Sequence, residues 1–145
     1  MIRTEKRLRL CCVLLVCCLA FIWGNSLLPG EISGAISDWV KEFLARLLGG
    51  KPPHGGGGLL RKIAHFTEFT ALGLCLGWLF GMLRRGKVRP FLWGVAAACV
   101  DETIQCFVPD RGPGIKDVCI DSCGVLTGII LLYIGYTWLK KKTNK

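Results

Sequence analysis

Four largely apolar blocks, Leu8 to Trp23, Ile63 to Leu83, Phe91 to Phe107 and Val118 to Leu139, leave this chain few ways to fold. Each runs 16 to 22 residues, and a bilayer's hydrocarbon core takes about 20 helical residues to cross. The apolar positions are contiguous rather than spaced along one helical face, which a water-soluble helix does not allow. In 145 residues, 52% of them hydrophobic, the blocks leave no room for a second domain and too little polar chain for disorder. The expectation is all-α: one membrane domain over residues 1–145, a four-helix transmembrane bundle with spans at about 8–28, 60–83, 89–108 and 117–139.

The formal net charge of +9 follows that topology. Arg3, Lys6, Arg7 and Arg9 precede the first block; Arg84, Arg85, Lys87 and Arg89 link the second to the third; Lys140, Lys141, Lys142 and Lys145 follow the fourth. These twelve of the nineteen basic residues fall on one side of a four-span arrangement, with only Glu5 opposing them. Short cytoplasmic loops collect Lys and Arg, so both termini are expected in the cytoplasm. The same asymmetry explains the charge without a nucleic-acid partner, and none is expected. The first block has the basic start of a signal peptide, but no small-x-small cleavage pattern follows it. It reads as an uncleaved span with Trp23 as its interfacial anchor.

Cys11, Cys12, Cys17, Cys18, Cys75 and Cys99 lie inside the blocks, where Cys acts as a small apolar residue. Cys106, Cys119 and Cys123 fall near the outer face, where a disulfide can form, although nine cysteines is an odd number and spacing assigns no pair.

Between the first two spans, Ile32, Ile36, Trp39, Val40, Phe43, Leu44, Leu47 and Leu48 recur at helical spacing, with Glu31, Asp38, Lys41, Glu42 and Arg46 on the other face. This predicts an amphipathic extracytoplasmic helix over about 31–48, stopped by Gly49-Gly50 and lying in the interface or over the bundle mouth. Lys51 to Gly58 reads as a flexible link. Gly73, Gly77 and Gly81 on the second span, Ala96 to Ala98 on the third, and Gly124, Gly128 and Gly135 on the fourth mark close helix approach.

Ionisable groups in a spanning helix need a reason, because each costs roughly 2.5 to 3.5 kcal/mol at mid-membrane. Arg61, Lys62, His65 and Glu68 open the second span, Asp101, Glu102 and Gln105 close the third, and Asp117 and Asp121 open the fourth. With the N-terminus inside, all three groups share one depth on the outer side. The turn-rich segment from Phe107 to Gly114 is expected to bring Arg111 over them. One reading is an ion-pair brace, Arg61 and Arg111 against Glu68, Asp101 and Asp121. The other is a chamber whose basic groups grip an anionic head group while His65 and carboxylates move protons. Lys62, on the flank of the arc, reads as a snorkelling interfacial lysine.

Arg61-Lys62-x-x-His65-x-x-Glu68, Asp101-Glu102-x-x-Gln105-x-Phe107-x-Pro109-x-Arg111 and Asp117-x-x-x-Asp121-x-x-Gly124-x-x-x-Gly128 together resemble the signature of the VanZ-like family, as does Asn25-Ser26-x-x-Pro29. The resemblance covers roughly residues 59–128 and departs from the family pattern at Asp121, often Asn, and at Phe69, often Tyr. It implies a multi-pass plasma-membrane protein associated with resistance to teicoplanin and related glycopeptides. A lipid-linked cell-wall precursor, a lipidated antibiotic or membrane lipid is the partner class that fits such a chamber.

Three functions compete. A binding protein without turnover would use Arg61, Gln105, Arg111, Asp117 and Asp121 as ligand contacts. A membrane-embedded hydrolase or transferase on a phospho-lipid would use His65 as acid/base, Glu68 to orient it, and Asp101 and Glu102 as further acid/base groups or cation ligands. Oxygen-rich ligands with one His suit Mg²⁺ or Ca²⁺ better than zinc. A transporter fits least, since the polar cluster is confined to one end.

Overall fold

A computed structural model describes residues 2–50, 57–112 and 114–143. Within them the chain forms five helices: α1 (Ile2–Ser26), α2 (Gly30–Leu47), α3 (Gly57–Met82), α4 (Arg89–Gln105) and α5 (Ile115–Thr143), with no strand among the described residues. Most of the expected linker, residues 51–56, lies outside the described residues, as do Pro113 and Lys145; Gly57 and Gly58 already belong to α3.

Local chemistry sets the ends. Leu27 still donates its amide to the Trp23 carbonyl, at 3.0 Å, but Pro29 has no amide to continue α1 and instead stands at the start of α2. α2 ends as its glycines require: Gly49 takes φ +68, its amide reaches the Arg46 carbonyl and that of Gly50 the Ala45 carbonyl. Pro90 occupies the first turn of α4, where its missing amide costs nothing. α4 stops at Gln105, short of the expected 108, because Pro109 cannot be carried in a helix; the amides of Phe107 and Val108 tighten onto Ile104 and Gln105 instead.

That early stop changes the span count. Among the described residues, three helices are long and apolar enough to cross a membrane: Thr4–Ser26, Gly58–Met82 and Ile115–Thr143, with mean hydropathies of 2.1, 1.4 and 2.0. α4 has 17 residues, about 25 Å of helix, and carries buried Asp101, Glu102 and Gln105 in its last turns. It packs against α1, α3 and α5 rather than matching them in length.

α3 is the axis of the molecule. It runs along α5, with α1 and α4 beside it and α2 against it. Ile22, Phe69, Leu72, Leu76, Ala98, Val125 and Ile129 form the core. The α3–α5 pair is close because side chains are missing where the backbones meet. A Cβ on Gly73 would strike the Val125 carbonyl, one on Gly124 the Phe66 carbonyl, and one on Gly128 the Thr70 carbonyl. Gly81 and Gly135, expected in the same grooves, face open space.

The outer surface is apolar. Leu10, Val13, Leu14, Val16 and Phe21 on α1, and Leu126, Ile130, Leu131 and Ile134 on α5, are all exposed, as side chains solvated by lipid would be. Trp23 departs from its expected place: it packs inward against the core, and its Nε1 is buried without a partner. α2 turns its small residues Gly30, Ser37 and Ala45 inward and leaves Ile32, Ile36, Trp39, Phe43 and Leu47 exposed. All nine cysteines are free, so no disulfide joins Cys106, Cys119 and Cys123.

Candidate functional site

The polar residues from α3, α4 and α5 do converge. A cavity of about 150 Å³ is lined by Arg61, Lys62 and His65 of α3, Glu102 and Gln105 of α4, and Asp117, Ile120 and Asp121 of α5, with Gly58 and Gly112 at its edge. Asp101 lies beside the lining residue His65 and is fully buried. The convergence is helical arithmetic: Arg61 and His65, Asp101 and Gln105, and Asp117 and Asp121 are each one turn apart on their own helix.

Gln105 organises the α4 side. Its Nε2 donates to Asp101 Oδ2 at 2.9 Å and to Glu102 Oε1 at 3.2 Å, and lies 3.4 Å from Ser26 Oγ. The other Glu102 oxygen accepts the Gly114 amide at 2.8 Å, which fixes the start of α5. His65 Nδ1 is 3.8 Å from Asp101 Oδ2, an electrostatic neighbour beyond hydrogen-bond reach. Across the mouth, Lys62 Nζ is 3.7 Å from Asp117 Oδ1, both half exposed.

Several expected roles move. Glu68 does not orient His65: it accepts a hydrogen bond from Asn25 Nδ2 at 2.8 Å and faces α1, outside the cavity lining. Asp101 takes its place beside His65. Arg111 does not hang over the cavity as a clamp. Its Nε donates to the Leu28 carbonyl at 3.0 Å and a terminal nitrogen to the Asn25 carbonyl at 2.8 Å, so it satisfies the open end of α1. Burial, and then the neighbouring Arg61 charge, hold the Arg111 guanidinium below its usual range. The ion-pair brace expected from the sequence is not formed: among the described residues Arg61 pairs with no carboxylate, and its Nε is buried without a partner. Lys62, expected to snorkel at the flank, lines the cavity.

Asn25 and Ser26 are site residues that composition and spacing did not single out. They touch Glu68 and Gln105 from the end of α1, and their signals in the sequence are polarity just before Pro29 and the Asn25-Ser26-x-x-Pro29 part of the family resemblance.

The cavity is rich in unused bonding capacity. Arg61 Nε, His65 Nδ1, Asp101 Oδ1, Asp117 Oδ1 and both Asp121 carboxylate oxygens are buried with no hydrogen-bond partner. Buried polar groups are ordinarily satisfied, so these atoms call for partners beyond the protein's own groups, water among them. Chemically it offers one imidazole for proton transfer, two cations that can meet an anion, and a carboxylate group able to hold a proton or a cation.

No curated protein and no solved structure matches the chain. The VanZ/LLP1 family model matches residues 10–136, from the first turns of α1 almost to the end of α5 and so across every residue of the cavity. The chain therefore belongs to the VanZ/LLP1 family.

Proposed function

We propose that this is a multi-pass plasma-membrane protein whose cavity opens outward and binds the anionic head group of a lipid-linked molecule. Both termini lie in the cytoplasm, α4 completes the bundle as a short fourth span, and α2 rests in the outer interface with Ile32, Ile36, Trp39 and Phe43 toward lipid. The observation that carries the reading is the contrast between satisfied supports and unsatisfied cavity charges. Asn25 and Gln105 spend their amides on neighbours, whereas Arg61, His65 and Asp121 keep buried polar atoms free. A brace between helices would have paired them.

Arg61 and Lys62 supply charge-assisted hydrogen bonds to a phosphate-type head group. Membership of the VanZ/LLP1 family supports a role in the cell envelope's response to teicoplanin-like glycopeptides, for which a lipid-linked wall precursor is the natural ligand class. The closeness of His65 to Asp101 favours one second reading, hydrolysis or transfer at the same head group, with His65 as the acid/base.

Binding of the purified chain to vesicles with and without a polyprenyl phosphate tests the proposal. Arg61→Ala removes one charge-assisted bond of about 1.5–3 kcal/mol and is expected to weaken binding about tenfold or more. Phosphate released by the wild type but not by His65→Ala establishes turnover; equal binding to both vesicles refutes the head-group site. Labelling of single cysteines placed at 84–89 reports orientation, and reaction from the outside would invert the arrangement.

A further inference from the structure

The cavity's carboxylates outnumber the cations left to meet them. Glu102, Asp117 and Asp121 line it and Asp101 lies beside His65, while Arg111 is committed to the carbonyls of Asn25 and Leu28. Glu68 is held by Asn25, Glu102 by Gln105 and Gly114, and Asp117 lies beside Lys62. Asp121 has no such relief, and Asp101 has only the Gln105 amide on its Oδ2. Asp121 is 1% exposed and neither of its oxygens has a partner; Asp101 is 0% exposed and its Oδ1 has none. His65 faces them, and ligand atoms of His65, Asp101 and Asp121 lie within 4.8 Å of one another.

We propose that His65, Asp101 and Asp121 bind a first-row divalent cation of the Mn²⁺ or Zn²⁺ class at the floor of the cavity. Three donors from three different helices converge on one point, and each brings a buried atom that no protein group satisfies. Ligands about 2.1 Å from an ion stand about 3 to 4 Å apart, so closure asks each side chain to move by less than about 1 Å. Ca²⁺ takes six to eight oxygens and Mg²⁺ keeps its water, whereas a mixed set of one imidazole and two carboxylates suits a softer ion than the Mg²⁺ or Ca²⁺ expected from the oxygen-rich motifs. Three protein ligands leave coordination positions open toward Arg61 and Lys62. Gln105, donating to Asp101 Oδ2, is a positioning residue that holds one carboxylate in the ligating orientation.

The ion supplies the positive charge that an anionic head group needs in an acid-rich cavity. That part rests on the head-group reading above; the ion site does not.

Electron paramagnetic resonance of the purified full chain in uncharged detergent, titrated with Mn²⁺ alone, tests the site. The expected result is one ion per chain, displaced by Zn²⁺ and not by a large excess of Mg²⁺. Outer partners of metal ligands contribute 10- to 100-fold in affinity, so Asp101→Asn and Asp121→Asn should each weaken Mn²⁺ by about 100-fold or more, and Gln105→Ala by about tenfold. Asp38→Asn, on the exposed face of α2, should change nothing. Wild type binding no more Mn²⁺ than the double Asn variant overturns the proposal, as does Glu102→Gln matching the loss in Asp121→Asn.

A wild-type readout covers the case in which the variants fail to fold. The chain has two histidines, His54 and His65, and Mn²⁺ should broaden the His65 imidazole resonances, identified in a His54→Ala background. Unbroadened His65 signals refute the site. Lipid binding retained in a chelator with no Mn²⁺ uptake sinks the ion and spares the head-group site; Mn²⁺ uptake without lipid binding does the reverse.

Discussion

The two ends of the bundle bury charge in opposite ways. At one end Arg7, Arg84, Arg85 and Lys87 ring a cavity of about 620 Å³ together with Trp78, Tyr133 and Tyr136, and no carboxylate lines it. All four basic residues are exposed. Their long stems lie along apolar surface while the charged heads reach water or lipid head groups, so membrane topology alone accounts for them. At the other end the cavity is about 150 Å³, and Arg61 and Lys62 line it together with a histidine and short carboxylates, Asp121 and nearby Asp101 being fully or almost fully buried. Asp101 and Asp121 cannot snorkel: one methylene separates carboxylate from backbone. The difference teaches that charge count is a poor guide to a membrane protein's function. Side-chain length against depth is a better one, and by that measure the buried aspartates of the acidic end are the charges that topology does not explain.

The contrast can be broken experimentally. The largest effect belongs to the contact that holds both ends to one axis. Gly128→Val drives side chain into the Thr70 carbonyl and is expected to destabilise by about 3 kcal/mol or more, whereas Gly135→Val, in open space, should stay within about 0.5 kcal/mol. Thermal unfolding in detergent compares the pair; similar losses would mean that α3 and α5 are not in backbone contact. Next is Arg111→Ala, which leaves the Leu28 carbonyl without a donor and the Asn25 carbonyl with only the Leu28 amide, at about 1–3 kcal/mol. Its melting temperature should fall while Arg85→Ala, at the basic end, melts as wild type.

Smaller still in stability is Arg61→Ala, which removes no protein–protein hydrogen bond or ion pair. Membrane abundance should remain near wild type while head-group binding fails. Low abundance restored by adding Glu68→Gln would show that the acidic end is a brace after all, and would erase the contrast. Lys62→Ala is expected to change stability least, by about 0–1 kcal/mol, since its partner Asp117 is 3.7 Å away and both are solvent accessible.

Much of this was legible in the sequence, and the failures share a cause. Pro29, Gly49 and Pro90 punctuate the helices where they should, and shared depth correctly gathers Arg61, His65, Asp101, Gln105, Asp117 and Asp121. Depth and helical phase give the level and face of a residue but not its partner. Arg111 found backbone carbonyls at the end of α1, which leave no mark in the sequence, and Glu68 found Asn25 across a helix interface rather than His65 along its own helix. Trp23, half-buried, packs against the core cluster, a contact that the position at a span's end does not reveal. The length of α4 was overestimated because hydropathy continues through Phe107 and Val108, where the helix cannot.

The glycine contact between α3 and α5 also bears on passage through the bundle. One turn beyond Asp121, Gly124 meets the Phe66 backbone, and one turn further Gly128 meets that of Thr70. Phe69, Leu72, Val125 and Ile129 fill the remaining space, fully or almost fully buried. Beneath Asp121 the described residues therefore pack backbone against backbone and apolar side chain against side chain, so a path from the carboxylates toward the basic end would require α3 and α5 to part.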